Sequence, residues 1–161
     1  MTRRAAERTI PLRNKPAFEF EALLAALPHP ILVLGADNRI VYGNAAAESF
    51  LSLSSAMLTR LELDDVVAFG CPLLALVAQV RQTGATLNEY GIEMASPKFS
   101  SPKLVDVYAG PMSENASLIV VMLQQRTMAQ MIERQLTHRA AARSVSGMAA
   151  VLAHEIKIGR A

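Results

Sequence analysis

The stretch Asp37-Asn38-Arg39-Ile40-Val41-Tyr42-Gly43-Asn44-Ala45-Ala46-Ala47-Glu48 decides how the chain is read. Asp37 and Asn38 are turn formers, and Ile40-Val41-Tyr42 is a β-branched and aromatic run ended by Gly43, so the segment predicts a turn and then a strand. Asn44 stands immediately before Ala45-Ala46-Ala47-Glu48-Ser49-Phe50-Leu51, where its side chain can accept from the first free N–H groups of a helix. Upstream, Pro30-Ile31-Leu32-Val33-Leu34 reads as a buried strand, which makes Ala36-Asp37-Asn38 the turn of a hairpin. His29, flanked by prolines, belongs to the loop before that strand.

The reading extends outward in both directions. Phe18 to Leu27 is rich in helix formers, with Phe20, Leu23, Leu24 and Leu27 on one face and Pro28 as its stop. Ser52 to Phe69 holds short helical pieces around Leu58, Leu61, Leu63 and Val66. Pro72 then opens a longer helix through Leu73, Leu76, Val77 and Val80 that ends near Thr83-Gly84. Three strands follow, Ala85 to Met94, Lys103 to Gly110 and Leu118 to Gln125, separated by loops carrying Pro97, Ser100, Pro102, Pro111 and Asn115. Leu118-Ile119-Val120-Val121-Met122-Leu123 is apolar on both faces, so that strand is expected at the centre of its sheet or covered on both sides.

Strand, turn, strand, Asn and Ala-rich helix in this order resemble the opening of a PAS domain, and the rest of the order fits that family. The resemblance implies an α+β fold: a five-stranded antiparallel sheet with flanking helices over residues 18–125, followed by a long C-terminal coiled-coil-like helix. Residues 1–17 read as a flexible basic leader.

Charge divides the chain the same way. Residues 1–17 hold five basic residues against one acidic, 18–125 five against eleven, and 126–161 six against two. Arg126, Arg134, Arg139 and Arg143 are dispersed without aromatic side chains between them, so direct nucleic-acid binding is not expected. No apolar run approaches the roughly 20 residues that span a bilayer, and no signal-peptide pattern follows the basic start, so the expectation is a cytoplasmic protein that does not enter a membrane. Cys71 is the single cysteine, which excludes an intrachain disulfide and a zinc pattern and suits a small buried hydrophobe. Neither a flavin-reactive Cys motif nor a haem-ligating His is evident, so no cofactor is expected in this chain.

From Met128 to the end the pattern is helical. Met128, Met131, Gln135, His138, Ala142, Val145, Ala149, Leu152 and Ile156 keep steps of three and four, the seam of a helix packed on other helices. His138 falls on that seam. His154 is two residues from both Leu152 and Ile156, which turns it away from the seam toward solvent. A neutral imidazole there offers a lone pair able to attack phosphorus, and Glu155 can accept a hydrogen bond from the other ring nitrogen, fixing the tautomer and acting as general base. By themselves the two residues also fit a solvated helix face.

Leu152-Ala153-His154-Glu155-Ile156-Lys157 resembles the phosphoacceptor box of sensor histidine kinases, and Gln135 to Ala149 resembles the first dimerisation helix of their nitrogen-regulation (NtrB-type) subgroup. Asn88-Glu89-Tyr90-Gly91 and Leu104-Val105-Asp106-Val107 are similar to that subgroup as well. The resemblance implies that residues 126–161 begin the dimerisation and phosphoacceptor domain, that His154 receives a phosphoryl group from ATP, and that a response-regulator Asp takes it on. It further implies a homodimer, a response regulator of the nitrogen-regulation type, and a PII-type signal protein as the input. The family motif continues Asn-Pro-Leu after the lysine, whereas this sequence reads Ile158-Gly159-Arg160-Ala161, without the Asn that places water for regulator dephosphorylation. The expectation is therefore a truncated chain, inactive as a kinase alone, whose ATP and Mg belong to a domain outside it. The alternative is a non-catalytic PAS module that dimerises or binds a ligand, its terminal helix serving as a handle.

Overall fold

The computed structural model describes residues 19–158, with side chains described through residue 143. The basic leader 1–17 and the last residues 159–161 lie outside the described residues. The order is α1 (Phe20–Ala26), β1 (Ile31–Leu34), β2 (Ile40–Gly43), α2 (Ala45–Leu51), α3 (Ser55–Leu58), α4 (Leu63–Val66), α5 (Pro72–Thr83), β3 (Leu87–Met94), β4 (Lys103–Pro111), β5 (Ile119–Gln125) and α6 (Met128–Ile158). The five strands form one sheet in the order β2-β1-β5-β4-β3, every neighbouring pair antiparallel.

Local chemistry sets the element ends. Asn44 caps α2 by accepting from the Ala47 N–H at 3.0 Å. Glu62 and Asp65 form a reciprocal capping box at the start of α4. Pro72 opens α5, where a missing N–H costs nothing, and Gly84 closes it at φ 66°, its N–H donating to Val80 O at 2.8 Å. At the β1–β2 turn the Asp37 carboxylate accepts from the Arg39 N–H at 3.1 Å, the main reason its pKa lies below the usual carboxylate value.

The core lies between one face of the sheet and helices α2 to α5. Leu73, Leu76, Val77 and Val80 form the buried stripe of α5 at helical spacing and pack with Leu32, Leu34, Val105, Val107, Ile119, Val121 and Leu123 of the strands. Each such side chain contributes about 2 kcal/mol by leaving water. A Cβ at Gly43 would lie 2.9 Å from Leu58 Cδ1 and 3.3 Å from Leu32 Cδ2, so α3 sits directly on the strand and any larger residue here would push the leucine ends aside.

Of the two placements its composition allows, β5 takes the central one, with β1 on one side and β4 on the other. Its inner residues are fully buried, while Val120 and Met122 on the outer face are half-buried. The short α1 covers little of the molecule: it has no buried residue, and Phe20 is 77% exposed. Strand β3 begins at Leu87 rather than at Ala85, because the residues after Gly84 complete the exit from α5 before pairing starts.

Candidate functional site

The functional residues expected from the sequence lie on α6, so the site begins where the sheet hands the chain to that helix. Gln125 is the last residue of β5. Arg126 still donates its backbone N–H to Leu104 O at 2.9 Å, and Thr127 caps the helix. The cap is reciprocal: the Thr127 hydroxyl accepts from the Gln130 N–H at 3.3 Å, and the Gln130 side chain accepts from the Thr127 N–H at 3.2 Å. This Thr-x-x-Gln signature was readable in the sequence and was not recognised there.

The Arg126 side chain turns back onto the sheet. Its Nε and Nη2 donate to the two carboxylate oxygens of Asp106 at 2.7 and 2.8 Å, a bidentate pair whose side chains are 12% and 11% exposed. Asp106 Oδ1 also accepts from the Gly91 N–H at 2.8 Å. Gly91 has φ 69° and sits where the β3–β4 register shifts, between Glu89 and Ile92, so the bulge aims its N–H at the carboxylate. One carboxylate thus ties β3, β4 and the root of α6 together.

Around this clamp the aromatic rings of Tyr90 and Tyr108 meet edge to face, with centroids 6.1 Å apart. Hydrogen bonding to the Tyr90 side chain, with a smaller contribution from burial, raises the Tyr108 pKa above that of a free phenol. The Arg134 guanidinium of α6 lies 5.5 Å from the Tyr90 ring centroid, a second tie between helix and sheet.

A second anchor ties α1, β1 and α2 together. Asn44 is 1% exposed and makes four hydrogen bonds: Oδ1 accepts from the Ile31 and Ala47 N–H groups, and Nδ2 donates to Leu24 O and His29 O. Read from the sequence as a cap for α2, it also fixes the link between α1 and β1. Those two carbonyls lie 20 and 15 residues away, too far for a local pattern to reveal.

The backbone of His154 and Glu155 belongs to α6, and their side chains lie outside the described residues. His138 is exposed on the single chain and lines an open cleft with Leu104, Met131, Arg134 and Arg139. Cys71 is buried and free, as expected for a small hydrophobe. Among the described residues no group of three or more His, Cys, Asp or Glu is placed to hold a metal ion, and no helix is long and apolar enough to cross a membrane.

Comparison with known proteins agrees with this architecture. A family model described as the PAS fold matches residues 19–139. The chain is 43% identical over 136 residues to the sensory histidine kinase/phosphatase NtrB of Rhizobium meliloti (strain 1021), covering 84% of this chain and 36% of the relative. It is 45% identical over 136 residues to the protein of the same name from Rhizobium leguminosarum bv. phaseoli, covering 84% and 35%. The chain therefore spans little more than a third of these relatives. Among solved structures, the PAS domain of nitrogen regulation protein NR(II) from Vibrio parahaemolyticus superposes with a TM-score of 0.56 at 20% identity, over 66% of this chain and 96% of that one. Since the sheet order, the helices on one face and a family model over most of the described residues agree, the chain belongs to the PAS family.

Proposed function

We propose that this chain is the sensory and phosphoacceptor portion of a two-component sensor histidine kinase controlling nitrogen assimilation, and that it acts in the cytoplasm as a homodimer. The observation that carries this is the extent of similarity: 43% and 45% identity to two sensory histidine kinases over 84% of the chain, well beyond what a shared fold alone requires.

In this reading the PAS domain receives the signal and α6 transmits it. ATP and Mg belong to a separate ATP-binding domain. A ring nitrogen of His154 forms a P–N bond to the γ-phosphorus as the P–O bond to ADP breaks, while Glu155 accepts the hydrogen bond, and then the proton, of the other ring nitrogen. In the second transfer an Asp oxygen of a nitrogen-type response regulator attacks, and the P–N bond breaks. A PII-type signal protein supplies the upstream input. The clamp supports the transmitter role, because Arg126, in the link just before the Thr127 cap of α6, is joined to the β3 bulge through a single carboxylate.

The test is phosphoryl acceptance from radiolabelled ATP with an ATP-binding kinase domain supplied in trans. The native chain is expected to be labelled, His154→Ala to lose labelling, and His138→Ala to keep it. Equal labelling of the His154→Ala chain refutes the reading and leaves a non-catalytic dimerising module as the better account.

A further inference from the structure

Lys103, the first residue of β4, is a cation held in an unusual setting. Its Nζ lies 4.4 Å from the Phe50 ring centroid and 4.2 Å from that of Phe99, and donates to Phe50 O at 3.1 Å. The two rings meet edge to face, centroids 5.4 Å apart, which fixes the cradle. Among the described residues the ion pairs are Arg39 with Asp37 and Glu62, and Arg126 with Asp106, so no carboxylate within 4.0 Å neutralises Lys103. An ammonium has three donors, and a neutral carbonyl uses one of them.

The lysine lines a cleft of about 520 Å³, a size typical of small-molecule sites. His29, Ser49 and Gln125 supply its other polar side chains, and Pro28, Pro30 and Ala46 supply apolar wall. Lys103 is the one formally charged residue in this lining, within a domain whose overall balance is acidic. The cleft lies outside the sheet–helix core, where the chain enters the sheet at His29 and leaves it at Gln125, two residues before Thr127 caps α6.

We propose that this cleft binds a small organic carboxylate. The carboxylate sits against Lys103 Nζ, the Ser49 hydroxyl and Gln125 amide complete its hydrogen bonding, and the short carbon chain lies on the proline and alanine wall. A single lysine supplies one positive charge, and the wall of Pro28, Pro30 and Ala46 gives a carbon chain a surface that inorganic phosphate cannot use, which favours an organic monocarboxylate. Binding here does not depend on phosphoryl transfer at His154.

The experiment is a ¹⁵N–¹H NMR titration of the full chain with sodium lactate, sodium phosphate and sodium chloride at equal ionic strength. Lactate is expected to shift the amides of His29, Ser49, Phe50, Lys103 and Gln125 in a saturating manner, with Kd on the order of 1 mM. Lys103→Met keeps the apolar stem on the rings and removes the charge, so it is expected to weaken lactate binding at least tenfold. Ser49→Ala, at an exposed position, weakens it a few fold and serves if Lys103→Met does not fold. The proposal is overturned if lactate gives only the linear drift seen with chloride, if phosphate alone saturates, or if both variants bind lactate as the native chain does.

Discussion

Removing either half of the Asp106–Arg126 pair should cost far more than a surface ion pair is worth, and the geometry sets the size. Exposed pairs contribute about 0–1 kcal/mol, whereas stripping one partner from a buried pair costs about 3–5 kcal/mol because a charge is left uncompensated. Here both side chains are about nine-tenths buried, with bonds of 2.7 and 2.8 Å and a third from the Gly91 N–H at 2.8 Å, which places the pair at the lower end of the buried range. Arg126→Ala leaves Asp106 with only the Gly91 N–H. Asp106→Ala strands both the guanidinium and that N–H. Each single change is expected to cost about 3 kcal/mol, and the double change no more than either, for a coupling of about 3 kcal/mol. With a urea m-value of about 1.5 kcal/mol/M for a domain of this size, each single variant should lose about 2 M in midpoint with m unchanged. Because the pair is buried, the coupling should persist in 1 M salt, where the Debye length falls to about 3 Å and exposed pairs are weakened. A coupling below about 0.5 kcal/mol, or one abolished by salt, would show that the pair is solvated and that the clamp on α6 does not exist.

Two further outcomes follow from neighbouring groups. Asn44→Ala removes a helix cap worth about 1 kcal/mol and leaves the Ile31 N–H and two carbonyls short of partners, so chemical denaturation should show a loss of about 3 kcal/mol; a loss under 1 kcal/mol would mean that water replaces the side chain. Tyr90→Phe deletes the hydrogen bond that raises Tyr108, so the Tyr108 phenolate midpoint, read by ultraviolet absorbance against Tyr108→Phe, should fall toward the ordinary value of about 10. Because the folded-state pKa is the raised one, the associated stability is present below pH 10 and is lost as pH rises through the folded-state value; an unchanged midpoint in Tyr90→Phe contradicts the assignment.

What the sequence reveals of this molecule follows from how far each interaction reaches. As caps and breakers, Asn44, Pro72 and Gly84 act on helix ends within four residues of themselves, and a local pattern suffices to place α2 and α5. The apolar run of β5 points to a strand that is central or covered on both sides, because burial is written in the strand itself, but alternation does not name neighbours, so the order β2-β1-β5-β4-β3 is read from the structure. Asp106 and Arg126 are 20 residues apart, and Lys103 meets rings 53 and 4 residues away, at Phe50 and Phe99. A lone Asp in an apolar strand was the available signal for the first, and nothing local marked the second.

The face of α6 is the instructive intermediate case. The seam read at steps of three and four, through Met128, Met131, Gln135 and His138, passed over Ile132 and Leu136, which are 57% and 60% exposed on the single chain, beside Met128 at 72%. At about 100° per residue, Met131, Met128, Ile132 and Leu136 together cover roughly 140° of the helix surface. A two-stranded coiled coil needs only the narrow seam, whereas a helix facing a core of several helices carries a stripe of at least about 100°. On the same helical wheel Gln135 and Arg139 fall inside that arc, so two polar side chains interrupt the apolar stripe, while Arg134 lies outside it. The apolar arc of the upper part of α6 is therefore wider than a coiled-coil seam yet broken by an amide and a guanidinium, whose long stems can lie along a neighbouring surface while their polar ends reach water.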